Sequence, residues 1–140
     1  GLAVATVVTF IALFFTEINI KNPLMTLFVI IMTAGVFSLA GLINAIFAKK
    51  FDDIAVIPSF VLAPLTYLGG VFYTVSLLPE FWQTLSRFNP ILYMINSMRY
   101  SVIGISDVSI QNALMMIVVF FILLFATAVI LLKKGIGIRQ

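Results

Sequence analysis

Side chains able to do acid–base or metal chemistry are scarce in this sequence. It contains no cysteine and no histidine, and it has neither a G-x-x-x-x-G-K-[ST] phosphate loop nor an H-E-x-x-H zinc motif. The carboxylates Asp52 and Asp53 are adjacent, so they would not share one face of a helix for general acid–base work. We therefore expect no catalytic, cofactor or metal site. We also expect no proton relay, because relays usually need Asp, Glu or His inside a span.

Residues that alter the backbone are the other candidates for function, and they cluster within residues 54–73. Pro64 lacks an N–H and leaves the carbonyl of Phe60 without its helical partner. Gly69 and Gly70 then follow, where a helix can bend or stop. Irregular backbone at membrane depth is tolerated only beside protein or a water-filled path. Two interpretations follow: a static kink, or a hinge that lines a translocation route.

The elements that must position these residues are four apolar stretches that exclude all eight basic and five acidic side chains. The hydrocarbon core is about 30 Å thick and needs about 20 helical residues. Three stretches meet that length, whereas the first reaches only about 22 Å. The predicted spans cover residues 2–16, 24–48, 54–73 and 112–132.

Composition places the chain in the membrane class. Hydrophobic residues make up 63% of the sequence and charged residues 9%, where a soluble domain carries about 25% charged residues. The first stretch is short and the sequence begins at Gly1 without a methionine. We therefore expect the chain to be the C-terminal part of a larger protein.

The basic residues orient the chain, because Lys and Arg in short loops are retained on the cytoplasmic side. Those that lie just beyond predicted span ends are Lys49, Lys50, Lys133, Lys134 and Arg139. The first two and the last three lie an even number of crossings apart, so both clusters predict the same side. Residues 17–23 and 74–111 are then outside. This placement accounts for the net charge of +3, and we expect no nucleic-acid binding.

Residues 74–111 are too apolar for a free loop and too interrupted for one span. We predict two short helices on the outer side, at 79–88 and 90–105, that are re-entrant or interfacial. Asn89 and Pro90 separate them, since Asn favours a helix start and Pro its first position.

Three side chains of this outer region are candidate functional residues. Pro79 suits the first turn of a helix, and Trp82 suits the lipid headgroup level. Arg99 stands among Ile, Leu and Met, which leaves two interpretations. It extends to the headgroups, or it faces an anionic substrate or partner.

The second predicted span also carries a face of small residues at helical spacing: Ala34, Ser38, Gly41, Ala45 and Ala48. Such a face lets another helix approach closely in lipid. It is either a packing seam within one subunit or a seam between subunits. Asn44 lies next to this face and is placed to hydrogen-bond across it.

These patterns predict an all-α, polytopic transmembrane bundle of four spans and two short outer helices. Exporter, passive channel and assembly scaffold all remain open on this ground. An exporter should depend on an ATPase, a channel should conduct passively, and a scaffold should tolerate stiffening of the third span.

Particular residue strings carry a resemblance that composition does not. They are F-D-D-I-A-V-I-P-S-F-V-L-A-P-L-T-Y-L-G-G-V-F-Y from Phe51 to Tyr73, S-L-L-P-E-F-W-Q from Ser76 to Gln83, and F-N-P-I-L-Y from Phe88 to Tyr93. The chain resembles the ABC-2 type exporter permeases of bacteria over essentially residues 1–140. The motif positions are Pro64, Tyr67, Gly69, Gly70, Pro79, Trp82, Asn89 and Pro90.

The resemblance implies a permease subunit in the bacterial cytoplasmic membrane that contains spans three to six of a six-span domain. It also implies a homodimer whose transport is driven by a separate cytoplasmic ATPase dimer. The cargo of such permeases is a drug, a lipid-linked glycan or a polysaccharide. The coupling helix that contacts the ATPase precedes span three, so we expect it to lie outside this chain.

Overall fold

The computed structural model describes residues 1–15, 19–50 and 52–135, except the side chain of Leu13. The predictions that involve Thr16, Glu17, Phe51 and Arg139 lie outside the described residues. Within the described ranges the chain is helical and contains no strand, which confirms the all-α fold class. The helices are α1 (Leu2–Phe15), α2 (Pro23–Phe47), α3 (Asp53–Leu68), α4 (Glu80–Arg87), α5 (Pro90–Ile103) and α6 (Ile110–Lys133).

Helix α3 covers only part of the third predicted span, residues 54–73. Helix α3 ends at Leu68 and not at Tyr73, because Gly69 and Gly70 stop it. The two observed outer helices are also shorter than the predicted ones. Pro79 and Phe88 flank α4 instead of lying within it, and α5 ends at Ile103. The other predicted spans agree with α1, α2 and α6 to within about two residues, which is the usual uncertainty of helix ends.

Two of the helices, α2 and α6, are long and apolar enough to cross a membrane. Their most apolar windows have mean hydropathies of 2.3 and 3.1. Few of their residues are buried, so they are unlike the core helices of a soluble protein. Helices α1 and α3 are apolar but shorter. By length alone, then, two spans are supported, and the other two of the predicted four remain a proposal.

The core of the described fold lies where α2, α5 and α6 meet. Val36 of α2, Met94 of α5 and Ile117 of α6 form a buried cluster. At Gly35 the helices α2 and α6 approach so closely that a Cβ atom would lie 2.6 Å from the ring of Phe121. A side chain at position 35 would therefore require the ring of Phe121 to move, so packing and not backbone conformation favours glycine there.

Helices α2 and α6 run in the same direction, because both begin near the end of α5. The backbone N–H of Lys21, just before α2, donates to the carbonyl of Val102 near the end of α5 at 3.1 Å. The N–H of Asp107, just before α6, donates to Oδ1 of Asn96 in α5 at 2.8 Å. The two pairs of basic residues that are predicted to be cytoplasmic, Lys49–Lys50 and Lys133–Lys134, therefore lie at the same end of the bundle.

Helix α5 is a core element of the described fold, and the re-entrant or interfacial placement of residues 90–105 in the membrane stays a prediction. It packs against both α2 and α6. Its buried residues are Ile91, Leu92, Met94, Asn96, Ser97 and Ser101. The serines are small enough to let neighbouring helices approach, which apolar composition alone does not reveal. Helix α4 differs, since Phe81, Leu85 and Phe88 are exposed on one side of it.

The small-residue face of α2 is not the face that packs within the described residues. Ser38, Gly41 and Ala45 are exposed, and a Cβ atom on Gly41 would meet nothing within 4 Å. Ala34 and Ala48 at its ends are half-buried. The packed face of α2 instead contains Thr26, Val29, Gly35 and Val36. A helix that covers the small-residue face remains a prediction.

The connection between α2 and α3 is held by hydrogen bonds to polar side chains. Asp52 makes no capping hydrogen bond to α3. The carboxylate of Asp53 accepts instead from the backbone N–H groups of Lys49 and Lys50, at 3.0 and 2.9 Å. Asn44, buried in α2, donates to the carbonyl of Ile54 at 2.9 Å. These bonds tie the start of α3 to the end of α2.

Candidate functional site

The interrupted helix α3 is where the candidate residues of the sequence converge. Its middle is one turn of π-helix, Pro58–Leu62, in which the N–H of Ala63 donates to the carbonyl of Pro58. Pro64 follows at the second position of the regular segment Ala63–Leu68. A π-turn often accommodates a residue that cannot join the normal ladder and is frequent at functional sites. The irregularity expected at Pro64 is therefore present, as a change of helical register.

The end of α3 leaves several carbonyl groups without a helical donor. The N–H of Gly69 turns back to the carbonyl of Thr66 at 3.1 Å, which tightens the last turn. Gly70 then has a φ of +77°, in the left-handed region that favours glycine. Both glycines are buried. The carbonyls of Leu65 and Gly70 therefore need partners from elsewhere in the chain, because a buried unpaired carbonyl is costly.

Side chains outside α3 supply these partners. Asn89 Nδ2 donates to the carbonyl of Leu65 at 2.5 Å, and Arg99 Nη2 donates to the carbonyl of Gly70 at 2.6 Å. The hydroxyl of Tyr73 donates to the carbonyl of Tyr67 at 2.6 Å. We call these three hydrogen bonds the α3-end contacts. They satisfy irregular backbone with protein groups, which is the condition under which such backbone is tolerated at membrane depth.

Asn89 serves two helices at once. It is the N-cap of α5, where its Oδ1 accepts from the N–H of Ile91 at 3.0 Å, and Pro90 occupies the first helical position. Its amide nitrogen is then free to donate to Leu65 in α3. Because Asn89 is 2% exposed, no water competes for either bond.

Arg99 joins three segments. Besides Gly70, its guanidinium binds the carboxylate of Asp107, with 3.1 Å between Nη1 and Oδ2. The two side chains are 20% and 16% exposed. Neither interpretation of Arg99 from the sequence included this internal pair. Sequence analysis also missed Asn96, which is fully buried and accepts the N–H of Asp107 and the hydroxyl of Ser106.

A sequence signal for this network did exist. Asn96 and Arg99 are three residues apart, on one face of a helix, and Gly104 ends that helix just before Asp107. A turn after Gly104, which has a φ of +81°, brings Asp107 back towards that face. The ion pair between Arg99 and Asp107 could therefore be predicted from local spacing, whereas the contact between Arg99 and Gly70 could not.

The predicted motif residues and Arg99 fall into three groups. Gly69, Gly70, Asn89, Pro90 and Arg99 meet at the junction of α3 and α5, where a Cβ on Gly69 would lie 2.9 Å from Ile95. Pro64 and Tyr67 lie on the exposed side of α3, and the ring of Tyr67 packs near that of Phe72 at 6.3 Å. Pro79 caps the start of α4, and Trp82 is half-exposed with its ring against Phe81 at 5.4 Å.

A large apolar cleft lies on another side of α5. Its volume is about 1210 Å³, and α1, α2 and α5 line it. Ile91 and Ile95 of α5 border this cleft and also contact the position of Gly69. A shift of α5 would therefore change both the cleft and the end of α3.

The residues of this site act by holding and positioning helices. In the part of the chain that the structure describes, no group of three or more acidic, His or Cys residues could hold a metal ion. The α3-end contacts pair donors with backbone carbonyls and offer no nucleophile or general base. Their effect is to set where α3 ends and how it is held against α5.

Comparison with known proteins assigns the chain to a family. A sequence profile of the family described as ABC-2 type transporter matches residues 1–103, which include α3 and the α3-end contacts. The chain is 48% identical over 140 residues to the inner membrane transport permease YadH of Escherichia coli strain K12 and to the same-named protein of Shigella flexneri. The match covers 100% of this chain and 55% of each relative, so the chain spans about half the length of these relatives. No solved structure matches the chain significantly. The chain therefore belongs to the ABC-2 type transporter family.

Proposed function

We propose that the protein is the permease subunit of an ATP-binding-cassette exporter. The observation that carries this proposal is the family match over residues 1–103, within which α3 and its end contacts fall. A bacterial inner membrane is the location that the family and the names of the relatives support. The cargo would be a drug, a lipid-linked glycan or a polysaccharide.

We further propose that residues 1–140 are the C-terminal part of one transmembrane domain, with α1, α2, α3 and α6 as its spans three to six. The parallel course of α2 and α6 is consistent with this, since spans four and six cross in the same direction. Helix α3 is short for a full crossing, but its start is bound to α2 and its end to α5. The α4–α5 pair then occupies the remaining outer depth above it.

Helix α3 is also the best candidate for the translocation path and for the contact with a second permease subunit. The structure gives no buried residue in any of its three segments. Phe60 and Tyr67 are 76% and 63% exposed. A span that its own chain leaves uncovered needs lipid, another span or a second copy against it. A homodimer with α3 of each copy facing the path would place Pro64 and Tyr67 beside the cargo.

The small-residue face of α2, from Ala34 to Ala48, supports a further contact of this domain. Its exposed glycine and serine would let another transmembrane helix approach closely. We propose that a span of the same family domain, or of the second subunit, packs there.

Energy for transport is proposed to come from a cytoplasmic ATPase subunit. The sequence has no phosphate-binding loop, and it places no Asp, Glu, His, Lys or Arg inside the predicted spans. The permease would supply the path, and the ATPase would supply the work.

The test is to purify the full-length protein from its own host and to measure export with the ATPase intact or altered. We expect an ATP-binding subunit to co-purify, and export to stop when the lysine of its phosphate loop is changed. As the control, this altered ATPase should still co-purify, so that lost export reflects lost hydrolysis. Export that persists after deletion of the ATPase gene would refute the exporter and favour a passive channel.

A further inference from the structure

The contacts of Arg99 indicate that this side chain does more than support a fixed structure. One guanidinium holds the carbonyl of Gly70 at 2.6 Å with Nη2 and the carboxylate of Asp107 at 3.1 Å with Nη1. Gly70 follows α3, and Asp107 precedes α6. The only covalent connection between these two points runs through α4 and α5. Arg99 therefore links the segment after α3 directly to the segment before α6.

The geometry requires an arginine. A planar guanidinium has donors that point to two acceptors in fixed directions, whereas a lysine ammonium is a point charge on a single stem. Lysine at position 99 would keep the charge but could not hold Gly70 and Asp107 in the same arrangement.

The backbone of Asp107 is itself held in place by α5. The buried Asn96 accepts the N–H of Asp107 at 2.8 Å and the hydroxyl of Ser106 at 3.3 Å. Its own amide donates to the carbonyl of Leu92 at 2.9 Å, which keeps Asn96 fixed on α5. The turn before α6 is thus ordered, while the ion pair at its tip is reached by water.

This partial exposure distinguishes a releasable contact from a permanent one. Breaking a fully buried ion pair leaves desolvated charges and is strongly unfavourable. The side chains of Arg99 and Asp107 are 20% and 16% exposed, so water can take up both charges when they part. Asn89, which holds Leu65 nearby, is 2% exposed and has no such alternative.

We propose that Arg99 and Asp107 form a latch that holds the end of α3 in one position and opens when that end moves during transport. Arg99 is then a positioning residue, which acts on transport through the carbonyl of Gly70. The link to transport rests on the proposed exporter function, whereas the existence of the latch does not.

The latch can be tested by the reactivity of a buried reporter next to Gly70. Val75 is 7% exposed, and its Cγ2 lies 3.3 Å from where a Cβ on Gly70 would be. In full-length protein freed of any other cysteine, Val75→Cys should react slowly with a maleimide. Arg99→Gln should raise that rate by about tenfold, which corresponds to the loss of one charge-assisted hydrogen bond.

Other variants separate the latch from general damage. Asp107→Asn should also raise the rate at position 75, and the double variant Arg99→Gln/Asp107→Asn should match Arg99→Gln alone, because one unit cannot be opened twice. Arg99→Lys should behave more like Arg99→Gln than like wild type. It replaces Arg99→Gln in the test if that variant does not insert into the membrane. The exposed Arg87→Gln is the matched control.

A second reporter controls for unfolding. Ala128→Cys, in the buried part of α6 near its other end, should show no change in rate with any of these variants. Unchanged labelling at position 75, or additive effects of the two substitutions, would overturn the latch. Export measured on the same variants should fall several-fold. Faster labelling with normal export would overturn the role of the latch in transport while leaving the exporter assignment intact.

Discussion

Gly70→Val is the substitution that most directly tests whether the end of α3 matters for transport. Gly70 has a φ of +77°, and a Cβ there would lie 3.3 Å from both the carbonyl oxygen of Tyr73 and Cγ2 of Val75. The left-handed conformation costs a residue with a side chain about 1–2 kcal/mol, and β-branching puts valine at the upper end.

The consequence can be estimated from that strain. About 2 kcal/mol changes an equilibrium by about 30-fold, since each 1.4 kcal/mol is a factor of ten. The chain at position 70 would relax to another backbone conformation, and its carbonyl would turn away from Arg99. We expect export to fall by about tenfold or more, with insertion and abundance maintained, because the buried cluster of Val36, Met94 and Ile117 does not include the neighbours of Gly70.

Two further substitutions make this measurement specific. Gly135 also has a positive φ, +65°, but a Cβ there would meet nothing within 4 Å. Gly135→Val therefore carries the same backbone strain away from the site, and export should change by no more than about twofold. Gly70→Asn should retain more export than Gly70→Val, because asparagine tolerates the left-handed region.

The assay is ATP-driven export by cells or vesicles, normalised to the amount of permease in the membrane. Wild-type export by Gly70→Val at normal abundance would refute the reasoning. Loss of Gly70→Val from the membrane would also count against it, since the strain would then destabilise the whole fold and not the end of α3 alone.

The remaining predictions concern the orientation of the chain in the membrane and the hydrogen bond from Asn89 to the carbonyl of Leu65. In full-length protein freed of other cysteines, a membrane-impermeant thiol reagent should label a cysteine at the exposed Thr84 and spare one at Lys50, and the opposite pattern would reverse the topology. Asn89→Ala should destabilise the protein by about 1–3 kcal/mol, because the carbonyl of Leu65 loses its donor and α5 loses its cap. Asn89→Asp keeps the cap but places a buried carboxylate oxygen against the carbonyl of Leu65, so its thermal unfolding midpoint in detergent should also lie below that of wild type, and equal midpoints for all three proteins would contradict the assignment.

The class of the protein and most helix ends followed from the sequence itself. The exclusion of charges from long apolar stretches predicted a helical membrane domain, because lipid admits backbone only as helices or closed barrels. Helix ends were predicted where a residue imposes its own conformation, as Asn89 and Pro90 do at the start of α5. The break near Pro64 and Gly70 was predicted for the same reason, since a missing N–H or a missing Cβ acts locally.

The structure alone decided which helices are buried and which polar groups meet. Apolar composition does not distinguish a helix that faces lipid from one that faces protein, so the burial of α5 could not be predicted. Arg99 binds a carbonyl 29 residues away in the chain, and Asn89 binds one 24 residues away. Such partners are selected by how α3 packs against α5. Sequence spacing predicts neighbours along one helix, but only the folded chain determines which orphaned carbonyl a distant side chain can reach.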